Sequence, residues 1–199
     1  MVKQCSPYGD EIRNFNPADE AVDFSSSQPL VASPHRDTVG GQWDATPKNP
    51  TQIRLNLEDL KCFEVVERQF QHWGVTLSNC VAIQPSNPAY PPHSGTTVLM
   101  GAPRNGLLEI SFERPVKSVN CYVTSSQRTV LCAFDREDNQ IARVEIPSPN
   151  LAGSNSMVPP NAQLSVRSPS EKQATPNIYR VSFFAFDGQL TVDDLSFSF

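Results

Sequence analysis

From Thr51 to the C-terminus the chain repeats one pattern: a short run with every second residue apolar, then a cluster of turn-forming residues. Extended backbone points successive side chains to opposite faces, so a period of two marks strands that bury one face. Ile53, Leu55 and Leu57 alternate with Arg54 and Asn56, and Leu108, Ile110 and Phe112 alternate with Glu109 and Ser111. The runs continue through Val75 to Asn79, Thr97 to Met100, Val116 to Thr124, Thr129 to Phe134, Gln140 to Ile146, Gln163 to Val166, Ile178 to Phe186 and Gln189 to Phe199. That gives about ten strands of ordinary length, enough for two packed sheets. Only Asp59 to Gln71 has room for a helical turn, and the 18 prolines are excluded from helix interiors and central strands. Strand following strand without an intervening helix predicts an all-β fold, a two-sheet antiparallel β-sandwich.

Residues 1–50 read differently. Ser25-Ser26-Ser27-Gln28-Pro29, Ser33-Pro34-His35 and Gly40-Gly41 break the chain, and hydrophobic residues between them are sparse. This stretch is expected to be an extended, partly disordered arm, with Asp19 to Phe24 its one candidate strand. Residues 51–199 then form the sandwich, a size at which a single all-β domain is ordinary. A net charge of −5 without a basic cluster disfavours nucleic acid as a partner, and no apolar run is long enough for membrane insertion. The first residues lack the apolar centre of a signal peptide, so the chain is expected in the cytoplasm.

Two hairpins are predicted. Folding the chain between Ser126 and Gln127 sets Val123 opposite Val130 and Cys121 opposite Cys132, and puts Val119, Cys121, Val123, Val130, Cys132 and Phe134 on one core face. A second hairpin turns through Asp135 to Asn139, a run of turn-forming polar residues. The five cysteines show no zinc-ligand spacing. Free thiols in a reducing compartment are the expectation, with a cross-strand disulfide between Cys121 and Cys132 as the alternative.

No catalytic motif is present. His35, His72 and His93 stand outside any nucleophile motif, and the phosphate-binding glycine loop and the His-Glu-x-x-His pair are missing. Acidic pairs at the two ends of the β region are more informative: Glu58-Asp59 closes the first strong strand and Asp193-Asp194 opens the last. Carrying the parity of Leu195, Phe197 and Phe199 backwards places Asp193 inward, where a carboxylate needs a partner. If the first and last strands are neighbours, Glu58 and Asp193 can share a calcium ion, which takes six to eight oxygen ligands. The alternative is an Asp193 that caps turn N–H groups or pairs with Arg180.

Ile53 to Leu60, Gly74 to Asn79, Ala133-Phe134-Asp135 before a polar turn, and the closing Asp193-Asp194-Leu195-Ser196-Phe197 occur here in an order that resembles jelly-roll domains common in cyanobacteria and in exported proteins with PEP-type sorting tails. These domains are similar to galactose-binding-like sandwiches, which include carbohydrate-binding modules. The resemblance covers Gln52 to Phe199. It implies a structural calcium on Glu58 and Asp193, to which their acidic neighbours Asp59 and Asp194 are added as candidate ligands, and an extracellular setting that the missing export signal does not support. Loops at the ends of a sandwich carry function on a rigid scaffold. On that ground Asn87, Tyr90 and His93, the cation of Arg128, and the amides of Asn150 and Asn155 are the expected ligand-binding residues. Two functions follow: a non-enzymatic carbohydrate-binding module with a structural calcium ion, or a cytoplasmic protein-interaction or scaffold protein that uses the N-terminal arm on a protein partner.

Overall fold

The structure, a computed structural model, describes residues 29–35, 51–101, 106–169 and 177–199. Twelve strands occur among them: β1 Leu30–Ala32, β2 Gln52–Leu55, β3 Val75–Ser78, β4 Cys80–Ile83, β5 Val98–Gly101, β6 Leu107–Val116, β7 Ser118–Ser125, β8 Thr129–Phe134, β9 Gln140–Ile146, β10 Ala162–Arg167, β11 Ile178–Ala185 and β12 Leu190–Ser198. They form two sheets, antiparallel except for the β1–β2 pair. The expected all-β, two-sheet sandwich is therefore what the chain adopts. The helical turn foreseen between Asp59 and Gln71 is a single 3-10 turn further on, at Gln71–Trp73.

The second sheet is simple, in the order β3-β6-β11-β8-β9. The first is built around β12, whose two edges serve four neighbours. One edge pairs with β7 along most of its length, and β10 pairs with the far side of β7. The other edge is divided. Thr191 and Val192 pair with Met100 and Leu99 of β5, whereas Ser196, Phe197 and Ser198 pair with Arg54, Ile53 and Gln52 of β2. The first and last strong strands are thus neighbours. The change of partner falls at a bulge between Asp193 and Ser196, where Asp194 takes a left-handed backbone (φ 46°).

One continuous core lies between the sheets. Leu164, Val192 and Phe197 of the first sheet meet Leu108, Leu131 and Phe183 of the second. Phe112 and Phe197 touch across the gap, ring centroids 5.1 Å apart. Phe183 and Phe197 are wholly buried, each contributing about 1.5–3 kcal/mol by leaving water.

The predicted β7–β8 hairpin does not form. β7 lies between β12 and β10 in the first sheet, and β8 between β11 and β9 in the second, so Ser126–Arg128 carries the chain across the sandwich. Ser126 N–H donates to Gln189 O (3.0 Å), and Gln189 N–H donates to Ser126 Oγ (2.9 Å), which fixes that crossing. Cys121 and Cys132 are consequently in different sheets. Cys121 is a free thiol facing the core, its pKa pushed up by burial, while Cys132 is disulfide-bonded outside the Cys121 pair. Parity in β8 is also reversed. Leu131 and Ala133 join the core, and Val130, Cys132 and Phe134 form a separate cluster on the outer side. The second hairpin holds: β8 pairs with β9, and Asp135 Oδ1 accepts from the N–H groups of Glu137 and Asn139.

Of the stretch assigned to an arm, Leu30–Ala32 lies in the first sheet parallel to β2, with Ala32 fully buried. The candidate strand Asp19 to Phe24 lies outside the described residues.

Candidate binding face

Outward-facing positions of the first sheet form a grid set by strand register. Ser118, Asn120 and Tyr122 of β7 point away from the core, because Val119, Cys121 and Val123 point into it. Beside them on β12 stand Ser198 and Ser196, opposite Ser118 and Asn120. Gln52 and Arg54 of β2 flank Ser198 and Ser196 on one side; on the other, β10 sets Arg167 opposite Ser118, the short Ser165 opposite Asn120 and Gln163 opposite Tyr122. Short residues in the middle, long ones along β2 and at both ends of the β10 side make a trough that is lowest over Ser165. Its floor is Ser118, Asn120, Ser196 and Ser198, and its walls stand about 14 Å apart across three strand spacings. Burial agrees: Ser118, Asn120 and Ser196 face outward, yet are only 9, 8 and 9% exposed. Ser118 and Ser198 hydroxyls bond to one another at 2.7 Å.

One end of this trough is dammed by the loop that precedes β5. Starting beside β10, Pro91 O accepts from Asn161 Nδ2 (3.1 Å). His93 then lies flat on Tyr122 of β7, centroids 3.5 Å apart and planes within 8°. Next the backbone N–H groups of His93 and Ser94 donate to Asp193 Oδ2 (2.7 and 3.0 Å) on β12. Asp194 accepts from His93 Nδ1 (2.6 Å), Ser94 Oγ (2.8 Å) and Arg54 Nη1 (3.1 Å). Beyond β2, Glu58 accepts from Thr96 N–H, Thr96 Oγ and Thr97 N–H at 2.9–3.2 Å. Three carboxylates therefore hold one loop across the width of the sheet. Gly95 is required at its apex. Its φ of +59° suits glycine, and a Cβ there would lie 2.3 Å from Glu58 Oε1.

The expected inward placement of Asp193 is corrected by the bulge. Val192 faces the core, and Asp193 is paired with outward-facing Tyr122. It is nonetheless 4% exposed, because the His93–Ser94 backbone lies over it. Parity read back from Leu195 fails since the left-handed Asp194 adds a residue to the count. Of the two alternatives to calcium, capping of N–H groups is the one present; Arg180 instead bonds Glu109 and Asp138 in the second sheet.

The residues assigned to calcium do not fit that ion. Glu58 and Asp193 do converge on one loop, but the oxygens of Glu58, Asp193 and Asp194 face N–H and O–H donors and a guanidinium. A cation among them would meet the positive ends of these dipoles. Asp59 accepts from Asn56 Nδ2 (2.8 Å), away from the loop contacts of its neighbour. Among the described residues no group of three or more His, Cys, Asp or Glu side chains could hold a metal ion.

The two clamping carboxylates respond oppositely to their settings. Burial raises the pKa of Glu58, but hydrogen bonds from Thr97 and Thr96 outweigh it and hold the group below its ordinary value. Burial raises Asp193, and the N–H groups of Ser94, Asp194 and His93 offset only part of that rise, so it stays above its ordinary value. A lowered folded-state pKa gives Glu58 a stabilising contribution above the usual carboxylate range, lost as pH falls through the folded value. Asp193 contributes the reverse sign, becoming easier to accommodate once protonated. Glu58→Gln is therefore expected to flatten the loss of melting temperature between neutral pH and about pH 3, a window that spans the carboxylate range. An unaltered acid limb in that variant would rule out Glu58 as its source.

The loop residues expected to bind ligand are placed in several different settings. His93 is in the dam. Tyr90 is 8% exposed and offers no open ring face. Asn87 Oδ1 accepts from Ala89 N–H (3.0 Å) and shapes the turn before it. Asn150 is fully buried and serves the scaffold. Arg128 is bound to Glu145 on the second sheet at 2.5 Å. Asn155 is exposed in the 151–161 loop. Tyr122, Asn120, Ser196 and Arg54 were not among the expected binding residues. Their one signal is the excess of serine and asparagine, poor strand formers, on what alternation marks as outer positions of β7 and β12.

Fold and face together define a two-sheet β-sandwich with a polar trough on one sheet. Neither a protein-family model nor a curated protein matches the sequence. Among solved structures the chain is similar to carbohydrate-binding modules and a lectin domain. These include the module TmCBM61 in complex with β-1,4-galactotriose (12% identity, TM-score 0.37, 63% of this chain and 87% of that one). A family 29 carbohydrate-binding module matches at 10% identity and TM-score 0.35, covering 63% of this chain and 78% of that one. The lectin domain of lectinolysin with Lewis B antigen matches at 12% identity and TM-score 0.38, covering 62% of this chain and 89% of that one. The sandwich described above rests on this chain's own strand pairing.

Proposed function

We propose that the chain is a non-enzymatic carbohydrate-binding module whose ligand lies in the trough on the outer face of the first sheet. The observation that carries this reading is the sunken row of Ser118, Asn120 and Ser196, outward-facing yet almost covered by taller neighbours. A sugar presents hydroxyls that both donate and accept, and serine hydroxyls, amides and a guanidinium match them. His93, held against Tyr122, closes one end of the trough beside the bound sugar. The non-enzymatic part is supported by the carboxylates beside the trough. Asp193, Asp194 and Glu58 are engaged as acceptors for a loop and for Arg54, so none of these three is free for acid–base work over the floor.

A broad glycan array followed by calorimetry tests the proposal. Asn120→Ala and Arg54→Ala are expected to weaken binding at least about tenfold, the scale of a lost hydrogen bond to a charged or well-placed group. Asn155→Ala, outside the trough, should bind like the parent. A silent array, or affinity lost with Asn155 and retained without Asn120, would refute the assignment. Calcium is not needed in this reading, since the loop clamp is complete without it. Melting temperatures in EDTA and in millimolar calcium are expected to coincide, because an ion that bound only the folded state would raise the midpoint.

A further inference from the structure

We infer that the trough receives the terminal disaccharide of a glycan rather than an internal stretch of a longer chain, an inference that rests on the carbohydrate reading above. The argument is geometric. A site for internal residues must let the polymer enter at one end and leave at the other. Here the loop from Pro91 to Thr97 crosses the outer face from β10 to the end of β2, anchored at Asn161, Tyr122, Asp193, Asp194 and Glu58 in turn. Its height is set by the His93 ring stacked on Tyr122, so a ligand lying along the floor ends against the His93 side chain and the Ser94 backbone. Asp193, on the outer side of the sheet at the level of Tyr122, is 4% exposed because this wall stands on it.

At the opposite end the strands stop at Ser118, Ser198, Gln52 and Arg167, with Thr51 and Arg167 exposed. From that edge to Tyr122 the floor runs four residues along β7, about 13 Å at the rise of an extended strand. This length holds a disaccharide and little more before the wall is reached. Strand direction also fixes what each ring meets. A terminal ring beside the wall has Asn120, Gln163 and the Arg54–Asp194 pair within its row or the next, whereas the second ring has the paired hydroxyls of Ser118 and Ser198, with Gln52 and Arg167 at its sides. Recognition is concentrated on the terminal ring. The rest of the glycan continues outward past Ser118 and adds little.

The test is an array on which the same disaccharide motifs are printed both as chain termini and extended by a further residue. Soluble series from monosaccharide to hexasaccharide of any motif that binds are then titrated by calorimetry. Signals from terminal motifs only, an affinity that rises at least about tenfold from mono- to disaccharide and changes by less than about twofold thereafter, is the expected result. Equal signals from terminal and extended motifs, or affinity still climbing at the hexasaccharide, would overturn end recognition and leave the carbohydrate reading standing. A silent array would overturn both. His93→Ala lowers the wall while keeping the backbone bonds to Asp193, and it is expected to let extended motifs bind. Continued exclusion of those motifs by a folded His93→Ala protein would count against the loop as the barrier.

Discussion

Asn150→Ala is expected to lower the unfolding free energy by about 3–5 kcal/mol, measured by chemical denaturation with an unchanged slope. The side chain is fully buried and makes three bonds inside the protein. Its Oδ1 accepts from Ser125 N–H (2.7 Å), and its Nδ2 donates to Val123 O (2.8 Å) and Pro159 O (3.0 Å). Its own backbone N–H donates to Ser125 O (3.0 Å), so the residue completes the end of β7 as a strand partner would. Alanine leaves the buried Ser125 N–H and Val123 carbonyl without this partner, each costing about 1–3 kcal/mol, and it leaves a small void besides, while the part-buried Pro159 carbonyl adds less. Asn150→Asp keeps the acceptor for Ser125, loses both donors and buries a charge, so it should be no better tolerated. Sequence reasoning placed Asn150 on a ligand-binding loop. A variant of full stability that no longer bound glycan would restore that role; the geometry predicts the reverse, lowered stability with the affinity of the folded fraction little changed.

The contrast between Asn150 and Asn120 shows what the sequence did and did not convey. Alternation is a local signal, and it located the strands; the neighbouring of β2 and β12 entered only as a condition, which the strand pairing meets. It does not say which strands become neighbours when both are buried. β7 and β8 each have two partners and read as near-continuous buried runs, so a hairpin and a crossing between sheets are equally consistent with their patterns. The crossing is fixed by the bonds between Ser126 and Gln189, more than sixty positions apart in the chain. The bulge at Asp194 was similarly hidden. Aspartate tolerates a left-handed backbone better than most residues, but nothing in Val192-Asp193-Asp194-Leu195 announces that it is used there. Loops rich in tyrosine, histidine and asparagine attracted the binding assignment because their composition is conspicuous. The trough depends on side-chain length compared across four strands, which only register makes visible. Of the four carboxylates assigned to calcium, Glu58, Asp193 and Asp194 converge on one loop and Asp59 does not, and four backbone N–H groups of that loop, which carry no sequence signature, are among their partners.

Asp193→Ala should unlock that loop, lowering stability by about 2–3 kcal/mol and abolishing the preference for terminal over extended glycan motifs in the same variant. The substitution removes the acceptor of three N–H groups, those of His93, Ser94 and Asp194. Unlike the groups around Asn150, the first two belong to a surface loop, which can swing into water and regain hydrogen bonds there. The cost to folding is thereby capped near the energy of the clamp itself, and the larger effect falls on function. Once the backbone of His93 and Ser94 is released, the loop stays tied at its ends by Asn161 and Glu58, but its middle is held by the contacts of Asp194 and the ring stack on Tyr122 alone, and the trough loses its closed end. Asp193→Asn separates the two consequences. Its carbonyl can still accept from His93 and Ser94, while its amide group is turned against the N–H of Asp194, so a loss of about 1–2 kcal/mol is expected. If the wall is what selects chain ends, Asp193→Asn retains terminal selectivity at reduced stability, whereas Asp193→Ala loses it. Cleavage by an added protease after the loop's Pro-Pro-His sequence, rising in the alanine variant and not in the asparagine one, would report the released loop directly. Equal protease resistance in both would mean that Asp193 does not hold it.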